Sequence, residues 1–321
     1  MIIVTGGAGF IGSCIVRTLN DMGIDDIIIV DHICETDKWM NMRNKNYTEY
    51  INRDEFLYRL PEFNGKVSHV IHMGACSATT ERDFDFLYKN NYEYTKTLWK
   101  FCTENQISFI YASSAATYGD GSQGFNDEDD IHNLRPLNGY GYSKQLFDIW
   151  AEKQVLTPKQ HVGFKFFNVY GPNEYFKGSM ASVIFHSFNK ISATGEMGLF
   201  KSYKYGYEDG KQLRDFVYVK DICKVIKFMI EHPEINGLYN LGTGKCRTFY
   251  DLTAATFRAM GLEPNIKFVD MPETLRSKYQ YFTQATMDKL RKAGYMDEFY
   301  TLEAGAEDYV QNYLMKNKEV Y

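Results

Sequence analysis

The chain has 321 residues, of which 44% are hydrophobic and 24% charged, with a formal net charge of -5. That length and apolar content suit one large domain or two unequal ones sharing a core. A mildly acidic balance argues against a nucleic-acid partner, which would draw on a basic face, and no stretch approaches the roughly 20 apolar residues needed to cross a bilayer.

Ile2-Ile3-Val4 opens the chain as a β-branched run and stops at Thr5-Gly6-Gly7. No basic segment precedes it, so no signal-peptide pattern is present and the cytoplasm is the expected location. Phe10 to Met22 then places Ile11, Ile15, Val16 and Leu19 on one helical stripe. Further short runs follow at Ile27–Val30, ending at Asp31, and at His69–Met73, ending at Gly74. Phe109–Ala112 leads into Ser113-Ser114, and Val162–Phe167 leads into Asn168, with a helical stretch at about 92–105 between earlier runs. Near-continuous apolar runs suit strands buried on both faces, and their alternation with helices predicts an α/β, doubly wound, Rossmann-type parallel sheet.

The rhythm loosens after about Tyr170. Residues 171–214 are rich in Gly, Lys, Tyr and Ser, and later elements are a helix near 219–231, a strand at 238–241 and a helix near 250–260. The expected division is a dinucleotide-binding domain over 1–170, rejoined by about 215–245, and a smaller mixed α/β substrate-binding lobe over 171–321. Residues 315–321 read as a frayed tail. The six cysteines (Cys14, Cys34, Cys76, Cys102, Cys223 and Cys246) show no CxxC pair and no zinc spacing, so buried apolar roles are expected and no metal.

Thr5-Gly6-Gly7-Ala8-Gly9-Phe10-Ile11-Gly12 lies between the first strand and the first helix, with the spacing Gly6-x-x-Gly9-x-x-Gly12. Gly6 permits a sharp turn, Gly9 lets backbone approach a pyrophosphate, and Gly12 lets the helix pack against the sheet. The helix N-terminus then offers free N–H groups to phosphate. Asp31, roughly 20 residues beyond Gly12, is placed to bind ribose hydroxyls. Taken alone it favours NAD, because a carboxylate repels a 2′-phosphate. Lys38 and Arg53 follow the second strand and can accommodate that phosphate, so both NADP and NAD stay open on spacing.

Tyr140 and Lys144 form a Tyr-x-x-x-Lys pair, which shares one helix face. A neighbouring ammonium stabilises a phenolate, so the phenol can take a proton from a carbinol and return it to a ketone near neutral pH. Ser113 and Ser114 end the fourth run, at the strand edge where such sheets carry their sites. Together these parts suit removal and return of hydrogen at an alcohol carbon. Return to the opposite face gives epimerisation with no net redox change.

With the glycine loop stand YASSAATYG (Tyr111–Gly119), YGYSK, FNVYGP (Phe167–Pro172), RDFVYVKD (Arg214–Asp221) and YNLGTG (Tyr239–Gly244). In this order they resemble the extended short-chain dehydrogenase/reductase family, the NAD(P)-dependent epimerases and dehydratases of nucleotide sugars, over the whole chain. That resemblance makes Ser114 the catalytic serine rather than Ser113. HMGACSATTE (His72–Glu81), KGSMASVIFH (Lys177–His186) and KYQYFTQA (Lys278–Ala285) are similar to the branch that inverts C6 of an ADP-linked heptose. That similarity implies tightly held NADP, an ADP-sugar substrate, a homo-oligomer (a pentamer), and a place in supplying lipopolysaccharide core heptose. It implies that Gly6, Gly9, Phe10, Ile11, Gly12, Asp31, His32, Lys38, Arg53, Met73, Gly74, Ala75, Cys76, Ser77, Asn90, Lys144 and Val169 contact the cofactor. Tyr140 and Lys177 become acid/base groups on opposite sides of the sugar, and Asn168, Ser179, His186, Phe200, Arg214 and Tyr279 line the substrate. The stretch Lys201–Lys211 departs from the branch by its length and its tyrosines.

Two other enzymes and one non-enzyme fit parts of this pattern. A 4,6-dehydratase needs an Asp-Glu pair after the active-site serine, where this chain has Ala115-Ala116. A net oxidoreductase on a related nucleotide-heptose would consume cofactor stoichiometrically. A dinucleotide-binding regulator would commonly lack Tyr140 or Lys144, and both are present.

Overall fold

The computed structural model describes residues 1–276 and 279–321. Strands β1 (Ile2–Thr5), β2 (Ile27–Asp31), β3 (Glu49–Asn52), β4 (His69–His72), β5 (Ser108–Ser114) and β6 (Gln160–Phe166) all run parallel in one sheet. A late strand at Gly237–Leu241 joins its edge beside β6 and completes a seven-stranded sheet. The strand order therefore reverses between β1 and its neighbour β4, and a crevice opens beyond their carboxyl ends, where such sheets bind ligands.

Both faces of the sheet are covered, as the continuous apolar runs require. Ile2, Val4, Ile27 and Ile29 pack with Cys14, Ile15 and Leu19 of helix α1 (Phe10–Asp21) and with Ile222, Val225 and Met229 of the helix at Val219–Glu231. Ile3, Ile28, Val30 and Val70 point the other way, onto Phe56, Leu98, Trp99 and Phe147. The alternation of strand side chains thus feeds two cores. β3 escapes the sequence reading because EYIN carries one buried residue, Ile51, at the sheet edge.

The helical stretch after β4 is not regular. An α-helical turn at Phe84–Leu87 passes into a π-helical turn at Tyr88–Glu93 and then into an α-helix at Tyr94–Glu104. The widened turn falls on Asn90 and Asn91, beside the crevice, a placement often found near functional sites.

The second lobe rises from β7 (Asn168–Tyr170), which pairs with a strand at Leu213–Tyr218, itself paired with Cys246–Thr248. A further two-stranded unit joins Met197–Phe200 to Ile266–Val269. Helices at Val183–Thr194, Phe249–Ala259 and Leu302–Tyr309 pack around these strands. The end segment is tied down rather than frayed. Tyr321 donates its N–H to Asn173 Oδ1 at 2.9 Å, and its carbonyl accepts from Lys45 Nζ at 2.6 Å. Among the described residues no helix is long and apolar enough to cross a membrane.

Candidate active site

A cavity of about 1040 Å³ occupies the crevice and runs under the second lobe. The glycine loop forms its floor. Gly6 takes φ +68°, and a Cβ there would stand 2.6 Å from the Gly74 amide nitrogen, so the loops after β1 and β4 meet with no room for a side chain between them. A Cβ on Gly12 would overlap the Gly6 carbonyl. No side chain caps the N-terminus of α1 and no acid sits in its first turn, which leaves its N–H groups for an anion.

Asp31 is buried and fully engaged. Its Oδ2 accepts from Ala8 N at 3.0 Å, and its Oδ1 accepts from His32 N and Lys38 Nζ, each at 2.7 Å. A side pocket of about 240 Å³ adjoins this pair, lined by His32, Arg53, Asn90 and Tyr94 among others. Arg53 donates to Asn90 Oδ1 at 2.6 Å and to Asp54, and the buried Tyr94 hydroxyl has no partner among the described residues. The side-chain-free cradle and this orphaned hydroxyl fit the phosphates and the adenosine end of a nicotinamide dinucleotide.

Asn91 was not singled out in the sequence. It is buried, exchanges hydrogen bonds with Cys76 N and O at 2.9 and 3.0 Å, and donates to Ser143 Oγ at 3.0 Å. Ser143 in turn donates to the Tyr140 carbonyl at 2.7 Å. The loop of Gly74 to Ser77 is therefore tied to the helix that carries Tyr140. The sequence signal was an Asn-Asn pair just ahead of the helical stretch expected at about 92–105.

That helix spans Gly139–Glu152 and is capped by Asn138, whose side chain accepts from Gly141 N at 2.8 Å. Gly141 has a steric reason: a Cβ there would lie 2.8 Å from the Ala116 carbonyl oxygen. Close approach of the helix to the turn after β5 sets Tyr140 beside Ser114. Burial pushes the Tyr140 phenol above its ordinary value, and the Ser114 hydroxyl hydrogen-bonded to it pulls the other way. Lys144 is buried with its ammonium on the Ala112 carbonyl at 2.8 Å, and burial lowers it to about 8. Lys144 is not among the groups that shift the phenol; its ammonium is engaged with backbone.

Ser113 separates cleanly from Ser114. Its hydroxyl donates to the buried Asp148 at 2.6 Å, which Tyr111 also reaches at 3.2 Å. Asp148 lies one turn beyond Lys144 on the same helix, and its charge favours the protonated ammonium. Lys177 comes from the second lobe. Its ammonium sits 5.5 Å from the Phe10 ring centroid, and burial lowers it while Glu174 favours its charged form.

Tyr140, Ser114, Lys144, Lys177, Asn168, Val169, Ser179, Arg214 and Tyr279 all line the large cavity, as do Gly6, Gly9 to Gly12, Asp31, Lys38 and Met73 to Ser77. Arg214 is held by the carbonyls of Leu213 and Gln280, with its guanidinium 5.5 Å from the ring centroids of Tyr279 and Phe249. His186 and Phe200 do not line the cavity. Phe200 instead meets Tyr279 edge-on at 6.3 Å, and the His186 ring packs against Phe185. Sequence reasoning passed over Phe167, Phe176, Met180, Phe216, Phe249 and Leu252, which give the cavity its apolar wall. Lys278, at the head of one resemblance motif, lies outside the described residues.

The Lys201–Lys211 stretch folds onto the lobe. Tyr203 donates its hydroxyl to Asp270 at 2.9 Å, its ring lies 3.7 Å from the Arg276 guanidinium, and its N–H reaches the Tyr281 hydroxyl at 3.0 Å.

The model of the NAD dependent epimerase/dehydratase family matches residues 2–242. An ADP-L-glycero-D-manno-heptose-6-epimerase of Fusobacterium nucleatum subsp. nucleatum is 54% identical, over 98% of each chain. A protein of the same name from Nitratidesulfovibrio vulgaris is 53% identical, again over 98% of each chain. The crystal structure of the Helicobacter pylori ADP-L-glycero-D-manno-heptose-6-epimerase superposes with a TM-score of 0.80 at 26% identity, covering 97% of this chain and 95% of that one. With its reversed parallel sheet, its glycine cradle and its Tyr140–Lys144 helix, this chain belongs to the NAD-dependent epimerase/dehydratase family.

Proposed function

We propose that the protein converts ADP-D-glycero-D-manno-heptose to ADP-L-glycero-D-manno-heptose by inversion at C6, using bound NADP. The observation that carries this reading is the convergence of Tyr140 and Lys177, from different lobes, on one cavity. Bound NADP supplies the chemistry of taking up a hydrogen with its electron pair from a carbinol carbon and giving it back.

The chain's own groups handle the proton and the geometry. Tyr140 removes the hydroxyl proton of one epimer while the carbinol is oxidised, and Ser114 donates to the same oxygen. Lys177 does the same work for the other epimer from the second lobe. A group on each side lets the sugar turn within the cavity while the ADP stays clamped. Lys144 holds the ribose near the reacting carbon and, once moved off the Ala112 carbonyl, stabilises the Tyr140 phenolate. Arg214 offers its remaining N–H groups to the diphosphate, and Tyr279 packs beside it. Phe200 supports Tyr279 from behind.

NADP is favoured over NAD because Asp31 is already saturated and neutralised by Lys38, and Arg53 stands nearby. Assembly as a homo-oligomer of five chains, a cytoplasmic location and a role in supplying lipopolysaccharide core heptose belong to the same reading. A net oxidoreductase or a regulator has no specific observation in its favour.

The test is incubation of purified protein with ADP-D-glycero-D-manno-heptose and no added cofactor, followed by NMR of C6. The expected outcome is an equilibrium mixture of epimers, and Tyr140→Phe should slow it by roughly 100- to 10,000-fold while keeping fold and cofactor. An unchanged sugar, or turnover only with stoichiometric NADP, would refute the reading. A near-normal rate in Tyr140→Phe would remove the tyrosine from the chemistry.

A further inference from the structure

Lys177 sits on a loop of successive turns: its N–H bonds the Glu174 carbonyl at 3.1 Å, and its own carbonyl accepts from Met180 N at 3.1 Å. Asn173 and Gly178 both take left-handed backbone, φ +74° and +55°. Such a loop has little local preference for one shape, and fixing it needs an external tie.

The tie is Glu174, whose side chain is wholly buried at 0% exposure. One carboxylate oxygen accepts from Ser182 N at 2.5 Å, and the other accepts from Ser182 Oγ at 2.6 Å and from Gly171 N at 3.3 Å. Ser182 is also the N-cap of the helix at Val183–Thr194, accepting from Phe185 N at 3.2 Å. The loop from residue 174 to residue 182 is thus closed on itself through one side chain. A buried carboxylate is costly unless its lone pairs are filled, and here three donors fill them.

We propose that Glu174 is a positioning residue for Lys177, its carboxylate closing the loop end to end and placing a negative charge within electrostatic reach of the ammonium. This rests on the acid/base role read for Lys177. The surroundings are consistent with it. Burial pushes the Glu174 carboxyl above its ordinary value, and the hydrogen bonds it accepts from Ser182 and Gly171 pull it back toward the charged form. Among the described residues Tyr309 and Tyr175 face it, and burial holds both phenols well above their ordinary range, so they stay neutral. The Phe10 ring lies against Lys177 and carries no charge. Burial favours neutral Lys177, and Glu174 opposes it.

The test measures kcat and the pH dependence of kcat/KM for the holoenzyme and three variants. Glu174→Gln keeps the size and removes the charge. Because its NH2 cannot accept, it also leaves the N–H of Ser182 or of Gly171 unpaired, so the limb shift rather than kcat reads the charge. This variant should lower kcat about tenfold or more and move one limb of the profile to lower pH by about one unit, because the ammonium loses its stabilising partner. Glu174→Asp keeps the charge and shortens the reach, so it should lower kcat with the limb in place. Ser182→Ala cuts one tie and keeps the charge; it too should lower kcat with no limb shift. Glu174→Gln profiles that superimpose on the wild type would overturn the proposal, as would an unaltered kcat in Ser182→Ala. Should Glu174→Gln fail to fold, the Asp and Ala variants still decide, since a limb shift in either contradicts it. Lys177→Met separates the two failures: normal turnover there refutes the acid/base reading itself, whereas an inactive Lys177→Met with an unshifted Glu174→Gln profile refutes only the role of Glu174.

Discussion

Asp31 and Lys38 are a pair whose halves favour different cofactors. A bare carboxylate at the end of β2 binds ribose hydroxyls and repels a 2′-phosphate, but Lys38 sits on it at 2.7 Å and cancels the charge. Removing the lysine therefore does two things at once: it deletes a cation and uncovers an anion. Lys38→Ala should weaken NADP by about 1.5–3 kcal/mol, the worth of a hydrogen bond to a charged group, and weaken NAD much less. Titration of cofactor-stripped protein with each dinucleotide checks this, and equal losses would mean that Lys38 does not meet the 2′-phosphate. At the same scale the two adjacent serines teach a limit. Residue type and spacing do not separate Ser113 from Ser114; family resemblance favoured Ser114, and the fold supplies the reason, since Ser113 is committed to Asp148 and Ser114 faces the Tyr140 phenol.

At the scale of elements, the first βα unit depends on contact between backbone atoms. Gly12→Ala would drive a methyl into the Gly6 carbonyl and push α1 off the glycine loop. Overpacking of this kind costs about 1–3 kcal/mol, so thermal unfolding should come earlier and the purified protein should lose bound dinucleotide. A variant with full occupancy and unchanged melting would contradict the packing described for the crevice. The strands that build this unit were legible because burial on both faces demands unbroken apolar runs, as in Ile27–Val30. β3 was not, since an edge strand needs only Ile51 inside. The π-helical turn at Tyr88–Glu93 was not legible either; it contains Asn91, whose partners Cys76 and Ser143 lie distant in sequence. The same holds for the tail, which looked free until Asn173 and Lys45 were seen to hold Tyr321. Of the candidate site, the residues on strand ends and on the Tyr140 helix could be read from motif and spacing. Lys177 and Arg214 were named through family resemblance, and His186 and Phe200, named the same way, fall outside the cavity wall.

At the scale of the whole molecule, the two lobes divide the work. The sheet and its glycine cradle form one side of the cavity and carry Tyr140, while the second lobe supplies Lys177, Arg214 and an apolar wall from Phe216, Phe249 and Leu252. A substrate held between them can present either face of one carbon to a single hydrogen donor. The central claim is that the hydrogen leaving this carbon is the one that returns. The direct measurement is epimerisation of the ADP-heptose in heavy water with no added cofactor, with the product read at C6 by NMR and mass spectrometry. The account predicts that C6 keeps protium through complete epimerisation. Deuterium at C6 would contradict it, because the proton would then have come from solvent.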